Sequence, residues 1–443
     1  MTFAVMQNGV TSLPLKRTAG GRVIPDASLA EVHEAAKERV ETQIRTGIRA
    51  DDLGLDYLFF TEHHFQPTGS EFSPNPLMSQ VKVATETETI RLGQMANILT
   101  WHDPVRFAEQ AAMLDILSDG RAEIGIGRGY QPRENEVLGQ YWGGTIQDQE
   151  RNRRTFEEKF ELLTRCWTRE TVSYHGEEHQ VPPRHTKWHH ELDRAYYEDD
   201  VTEQTVDDML DWVEEGDFYS DLWNRVMSGG TTLKRISVFP QPLQEPHPQL
   251  WMPATSHRSL RFAARNGVNG GLLAAPTERL GNLVDVYFEA AERAGWPDHR
   301  PEYDGESLGY GWDGERRRGL IPFRYVWNTE VADEATTERW KLGQENVWNY
   351  YRSLIPVYRY FDRGEDEWIP GDAIVDHEMM HVGTTEEIID GIAALYETLD
   401  YEEIAFGAFF ESPGVGAEAE EKQMVAFAEE VVPYLEDEFA TGD

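Results

Sequence analysis

At 443 residues, 40% of them hydrophobic, the chain is long and apolar enough for a large packed core, which argues against disorder. Its 80 acidic residues against 41 basic ones give a net charge of −39, spread along the whole sequence; this excess disfavours a nucleic-acid partner and suits a salt-rich cytoplasm, where screening relieves self-repulsion. The lone Cys166 excludes an intrachain disulfide and a four-cysteine zinc site, and neither a signal peptide nor an apolar run near the ~20 residues of a membrane span is visible, so a cytoplasmic protein without membrane contact is expected.

The predicted elements alternate along the chain. Residues 3–9 read as a first strand, and residues 29–53 carry helical periodicity that stops at Gly54. DYLFF, residues 56–60, is a continuous apolar run of the parallel-strand type. A helix over 77–87 and a strand over 90–97 come next. Asp103 can cap a helix opening at Pro104; Val105, Ala108, Ala112 and Ile116 then recur at helical spacing, and Gly120 closes it in a left-handed conformation. AEIGIG, residues 122–127, is a short buried strand that delivers Arg128, Gly129 and Tyr130 into a glycine-rich loop. A helix over 155–168 precedes a polar stretch rich in Trp and His. Strands at 249–254, 270–274, 322–330 and 403–409 then alternate with helices, among them 256–266 and 277–294. Eight strands separated by helices, without repeats, predict an α/β protein: a (β/α)8 TIM barrel forming one domain over 1–443. Insertions at about 182–232 and 296–319 interrupt it and are candidates for a pocket cover, a dimer contact or surface decoration.

A barrel demands that reactive residues sit just beyond strand C-termini. Thr61, Glu62, His63 and His64 follow the second strand, Asn97 the third, Arg128 the fourth, and Thr255 and Ser256 the fifth. Polar groups at four strand ends on one rim point to one shared pocket. A histidine titrating near neutrality suits proton transfer; His63 is the preferred candidate, with His64 packing against or orienting its neighbour. Glu62 either holds an imidazole tautomer or is a satisfied structural carboxylate. Ser256 precedes a helix, whose unpaired N–H groups attract phosphate, although an ordinary N-cap reads the same way. Arg128 can add a bidentate contact to such an anion.

Two other patterns are weaker. GIGRG follows a strand, but its spacing is GxGxG and no acidic partner follows at the interval of a dinucleotide fingerprint. His175, His179, His185, His189 and His190 cluster in sequence, yet HGEEH is not HExxH and Gly176 favours a hairpin over a helix, so no metal site is assigned.

EHHF at 62–65, DPVRFAEQAAMLDILSDGR, GIGRGY and ATSHRSLRFAARNG at 254–267 together resemble the bacterial-luciferase-like flavin-dependent monooxygenases, in the expected order and over most of the chain. The resemblance implies a barrel that binds reduced FMN, or the deazaflavin F420 as in a sister branch. It implies His63 as the catalytic histidine, Arg128 and Arg154 as phosphate-binding arginines, and Ser256 and Ser259 at the loop and helix start that hold the flavin phosphate. The peptide between Met95 and Ala96 matches a non-prolyl cis bond beneath the flavin ring, with Asn97, Gly129, Tyr130 and Thr255 alongside. The implied activity is oxygenation of a small organic substrate by O2 through a C4a-(hydro)peroxyflavin, with the FMN supplied by a separate reductase and the enzyme a homo-oligomer, taken as a dimer. F420-dependent hydride transfer is the alternative activity. A metal-dependent barrel hydrolase using His63 and His64, or a non-catalytic flavin-binding protein, are further alternatives.

Overall fold

In the computed structural model of the chain, the described residues are 1–183, 235–273, 275–295, 319–399 and 405–439, with short strands at 187–188, 213–215 and 231–233. The barrel strands are β1 (Thr2–Gln7), β2 (Tyr57–Phe60), β3 (Arg91–Gln94), β4 (Ala122–Gly127), β5 (Leu250–Pro253), β6 (Asn269–Leu272), β7 (Leu320–Asn328) and β8 (Ala405–Phe409). Each pairs in parallel with the next, and β8 pairs with β1, so the eight-stranded ring is closed. All the strands expected from the sequence are present.

The unbroken apolar runs reflect burial on both strand faces. Along β1, Ala4 and Met6 join the inner cluster while Phe3 and Val5 join the layer between sheet and helices. Inside the ring, Phe59 meets Trp251 and Phe323 edge-on at centroid separations of 5.2 and 5.6 Å. Around it run α1 (Leu29–Asp52), α2 (Pro76–Ala84), α3 (Pro104–Leu117), α4 (Gln149–Thr168), α5 (His257–Arg265), α6 (Thr277–Ala294), α7 (Thr385–Leu399) and α8 (Ala417–Ala426). Their starts follow capping chemistry: Ser28 and Glu31 form a capping box on α1, and Asp103 accepts from the Arg106 N–H at 2.9 Å on α3.

Several boundaries differ from the sequence reading. α4 begins before residue 155 because Asp148 caps a polar first turn through the Arg151 N–H. α3 ends at Leu117, and Asp119 shares the left-handed conformation with Gly120 (φ 54° and 77°). The third strand stops at Gln94; the Met95–Ala96 peptide is cis, and Asn97–Ile98 then resume pairing with the end of β4. Between β7 and α7 lie a long helix, Glu334–Arg352, and a strand, Met380–Gly383, that pairs with the outer half of β7. Tyr174–His175 and Gln180–Val181 pair as a hairpin, so His175 and His179 flank a turn. The insertions expected at 182–232 and 296–319 lie mostly outside the described residues. Among the described residues, no helix is long and apolar enough to cross a membrane.

Closure of the ring is tied by a buried ion triad. Arg39 of α1, 5% exposed, donates to Glu411 just after β8 and to Glu420 of α8 at 2.5 and 3.0 Å. Glu411 in turn accepts from the backbone N–H groups of Asn8 and Gly9 after β1.

Candidate active site

The sequence-predicted residues gather at the C-terminal rim over the contiguous strands β2 to β5. His63 sits just past β2 and is 8% exposed. It is fixed by an antiparallel bridge to Ser73: its N–H donates to the Ser73 carbonyl at 3.0 Å, and the Ser73 N–H returns a bond at 3.3 Å. The loop after β2 therefore folds back on itself. Gly9 makes this possible, since a Cβ there would lie 2.0 Å from the Phe72 carbonyl oxygen, and its φ of +80° is one that glycine adopts freely.

The folded-back loop brings Glu71 to His63. Glu71 Oε1 is 3.5 Å from His63 Nε2, and Glu134 Oε2, from the short helix Pro132–Leu138, is 3.6 Å from Nδ1. Burial disfavours the imidazolium, but Glu71, Glu134 and Glu62 outweigh that penalty and lift His63 from 6.5 to about 9. The Gln131 amide lies 3.1 Å from Nδ1, and which of its ends faces the ring depends on whether Nδ1 carries a proton. Tyr130 stands edge-on to the imidazole at a centroid separation of 6.2 Å.

Glu71 accepts from the Tyr351 hydroxyl at 2.6 Å and from the Gln66 and Gln131 amides, both at 2.9 Å. Its carboxyl is raised above the ordinary value, chiefly by burial, with His63 and these donors opposing. The Tyr350 hydroxyl donates to Gln131 Oε1 at 2.5 Å. Sequence reasoning missed Glu71, Gln131, Glu134, Tyr350 and Tyr351. Glu71 had a signal, since it lies on the same strand-end loop as His63; the two tyrosines come from a helix beyond β7 and had none.

Glu62 and His64 face elsewhere. Glu62 lies 3.0 Å from His102 Nε2 and 3.5 Å from His64 Nε2, and also accepts from the Ile98 N–H. Burial opposes its ionisation, but His102 and His64 hold the carboxyl down at about 2. The His64 N–H donates to Glu134 Oε1 at 2.6 Å. The Asn97 side-chain amide donates to Gln94 Oε1 and the Gly125 carbonyl, both at 2.9 Å, tying β3 to β4 beside the buried Met95 and Ala96.

A second cluster forms a cationic cradle at the start of α5. Ser256 caps that helix, accepting from the Ser259 N–H at 3.2 Å, and the two serine hydroxyls are 3.0 Å apart. Arg258 reaches Glu150 at 3.1 Å, and the same carboxylate holds Arg153 at 2.7 Å. The half-buried Arg128 lies within the field of both arginines: burial lowers its guanidinium, and Arg258 and Arg153 add repulsion, partly offset by Glu157 and Glu150. Arg154 instead leans toward Glu177 at 3.7 Å, so the arginine on α4 that shares Arg128's field is Arg153. Gly129 turns the chain at φ +71°, and the Thr255 carbonyl accepts from Arg279 at 2.7 Å. Helix N–H groups, two hydroxyls and converging arginines are a donor set that fits a phosphate.

Comparison with known proteins places these residues in context. An uncharacterized protein of Sinorhizobium fredii is 30% identical over 237 residues, 54% of this chain, and the chain spans only about half (51%) of that protein's length. The oxygenase component of a flavin-dependent trigonelline monooxygenase from Acinetobacter baylyi is 23% identical over 402 residues, covering 87% of this chain and 86% of that protein. The crystal structure of the oxygenating constituent of 3,6-diketocamphane monooxygenase from Pseudomonas putida, in complex with FMN, superposes with a TM-score of 0.61 at 17% identity, covering 98% of both chains. Residues 20–194, which contain the whole His63 cluster except the two tyrosines, match the family model of the luciferase-like monooxygenases, so this segment is similar to that family's domain.

Proposed function

We propose that the protein is a flavin-dependent monooxygenase that uses reduced FMN and O2, through a C4a-(hydro)peroxyflavin, to oxygenate a small organic substrate. The observation that carries this reading is the joint position of the two clusters on one rim: the phosphate-fitting cradle lies over β4 and β5, and the protonatable His63 over β2. The Met95–Ala96 peptide ends β3 between them. The names of the relatives support the same chemistry, since the trigonelline enzyme is an oxygenase component and the diketocamphane enzyme was solved with FMN. Such a component receives its reduced flavin from a separate reductase, and the acidic surface suits a halophilic cytoplasm.

In this reading Arg128, Arg153, Arg258 and the hydroxyls of Ser256 and Ser259 hold the flavin phosphate. Glycine at 271 leaves room for the Met95 side chain, since a Cβ there would lie 2.4 Å from the Met95 sulfur. Bound reduced flavin would supply two electrons to O2, and the His63 imidazolium, fixed between two carboxylates, would supply the proton that such a reaction takes up. Thr255, Gly129 and Tyr130 line the approach between cradle and histidine.

Anaerobic mixing of the protein with reduced FMN or reduced F420 in high salt, followed by O2, tests the proposal in a stopped-flow spectrometer. A flavin–oxygen adduct with FMN that outlives free-flavin oxidation, and that changes its lifetime in His63→Ala, is expected. Tight F420 binding without any oxygen adduct would overturn it in favour of hydride transfer.

A further inference from the structure

The sequence singles out Glu62 as the carboxylate beside His63, but the contacts divide differently. Glu62 spends its oxygens on His102, His64 and the Ile98 N–H. Glu134 spends one oxygen on the His64 N–H and offers the other to Nδ1 at 3.6 Å. Among the described residues it is Glu71 that faces Nε2, at 3.5 Å, and the same Oε1 accepts the Tyr351 hydroxyl at 2.6 Å. Tyr351 is braced in turn by the Asn8 side-chain amide at 3.2 Å, from the end of β1. Gln66 and Gln131 fix the second Glu71 oxygen, each at 2.9 Å. With Nδ1 protonated the Gln131 amide turns its oxygen to the ring, so the Tyr351 hydroxyl and the Gln66 amide are the neutral donors that hold the Glu71 carboxylate in position.

We propose that Glu71, braced by Tyr351, is the positioning residue that aims the His63 Nε2–H, and that Glu62 instead serves His64 and His102. The proposal rests on the flavin-dependent reading only for what His63 does; the orientation itself belongs to the cofactor-free protein. It means that His63 enters the reaction as an imidazolium and acts as an acid. The charges acting on the ring come from two elements, Glu62 and Glu71 from the loop after β2 and Glu134 from the helix after β4, and the neutral Tyr130 and Gln131 approach it from the loop after β4.

The experiment is an imidazole titration by NMR on the flavin-free protein with labelled histidine, His63 being assigned by the peak lost in His63→Gln. In the wild type His63 should titrate well above the ordinary histidine value. In Glu71→Gln the midpoint should fall by about one pH unit or more, the size expected when an opposite charge within a few ångströms is removed. Tyr351→Phe should lower it less, and Glu62→Gln should lower it less than Glu71→Gln does. An ordinary His63 titration in the wild type, or a larger shift of His63 in Glu62→Gln than in Glu71→Gln, would overturn the assignment. A second readout separates the two claims. If the flavin reading holds, the alkaline limb of kcat moves to lower pH in Glu71→Gln by the same amount as the imidazole midpoint. If the midpoint shifts as expected but the protein shows no flavin-dependent turnover, the positioning chain stands and the proposed function fails.

Discussion

The Arg39 triad offers a quantitative test of what closes the barrel. Arg39→Met removes one guanidinium from between two carboxylates that are 3% and 4% exposed, leaving both buried without a counter-charge. Breaking a buried pair in this way costs about 3–5 kcal/mol. The loss should depend on pH, and its sign follows from proton binding. Both carboxyls already stand above their ordinary value of 4.5, Glu411 because burial and the Glu420 charge outweigh Arg39, and Glu420 because of burial. Without Arg39 they rise further and take up protons in the folded state at a pH where the unfolded chain is ionised. The native form then binds more protons than the unfolded one between 4.5 and the raised folded values, so stability falls as pH rises through that window, by about 1.4 kcal/mol per pH unit for each proton. Urea denaturation of both proteins at fixed high salt should show a loss of about 3–5 kcal/mol near pH 8 that shrinks to about 1–2 kcal/mol near pH 5, where only lost hydrogen bonds remain. A loss under about 1 kcal/mol near pH 8, or one of equal size at both pH values, would refute the argument. The variant should also disturb the site, because Glu411 holds Asn8, whose side chain braces Tyr351.

Other substitutions separate flexible from rigid crowding and paired from unpaired charge. Gly271→Ala places a Cβ 2.4 Å from the Met95 sulfur, which can swing aside, so denaturation should report a loss of about 1 kcal/mol with a displaced Met95 and weaker FMN binding. Gly125→Ala places its Cβ 1.6 Å from the Gln94 carbonyl oxygen, a backbone atom between two paired strands, and should cost more than about 3 kcal/mol; equal losses for the two glycines would contradict this distinction. Arg324 on β7 is fully buried, none of its three guanidinium nitrogens has a hydrogen-bond partner among the described residues, and burial lowers it to about 10. Arg324→Met should therefore raise stability by about 1–3 kcal/mol in the same assay, and a loss would show that the guanidinium binds something in solution.

The eight barrel strands were legible because a parallel strand buried on both faces has a sequence signature of its own: DYLFF and AEIGIG are continuous, short and bounded by turn residues. The rim was legible for the same reason, since the residues following each such run must lie at one end of the barrel. Legibility failed where position depends on chain reversal or on a distant helix. Glu71 follows His63 on the same loop, but only the Ser73 bridge turns it back onto the imidazole. Tyr351 is 280 positions from Glu71, and nothing in the NYYR run says that its helix packs over the mouth of β1 and β2. Arg154, implied by the resemblance, leans toward Glu177, while its neighbour Arg153, which no sequence motif singled out, meets Glu150 and Glu157 on α4.

The sharpest consequence of the composition concerns how such a chain would capture an anionic cofactor. At low ionic strength a net charge of −39 repels a phosphate-bearing flavin over the whole approach, while the cradle of Arg128, Arg153 and Arg258 is local and partly neutralised by Glu150 and Glu157. The Debye length is about 10 Å at 0.1 M salt and about 3 Å at 1 M, so added salt cancels the long-range repulsion before it weakens half-buried contacts. The association rate for FMN should therefore rise with KCl, the reverse of a protein whose basic groove steers its ligand, where salt slows binding. Arg128→Met should weaken affinity by about 10- to 150-fold, as expected for loss of a charged hydrogen bond worth about 1.5–3 kcal/mol, without changing the sign of the salt slope. Stopped-flow flavin fluorescence across a KCl series reads both quantities. A rate that falls steadily with salt in the wild type would mean that the arginine cradle, rather than the global charge, governs the approach.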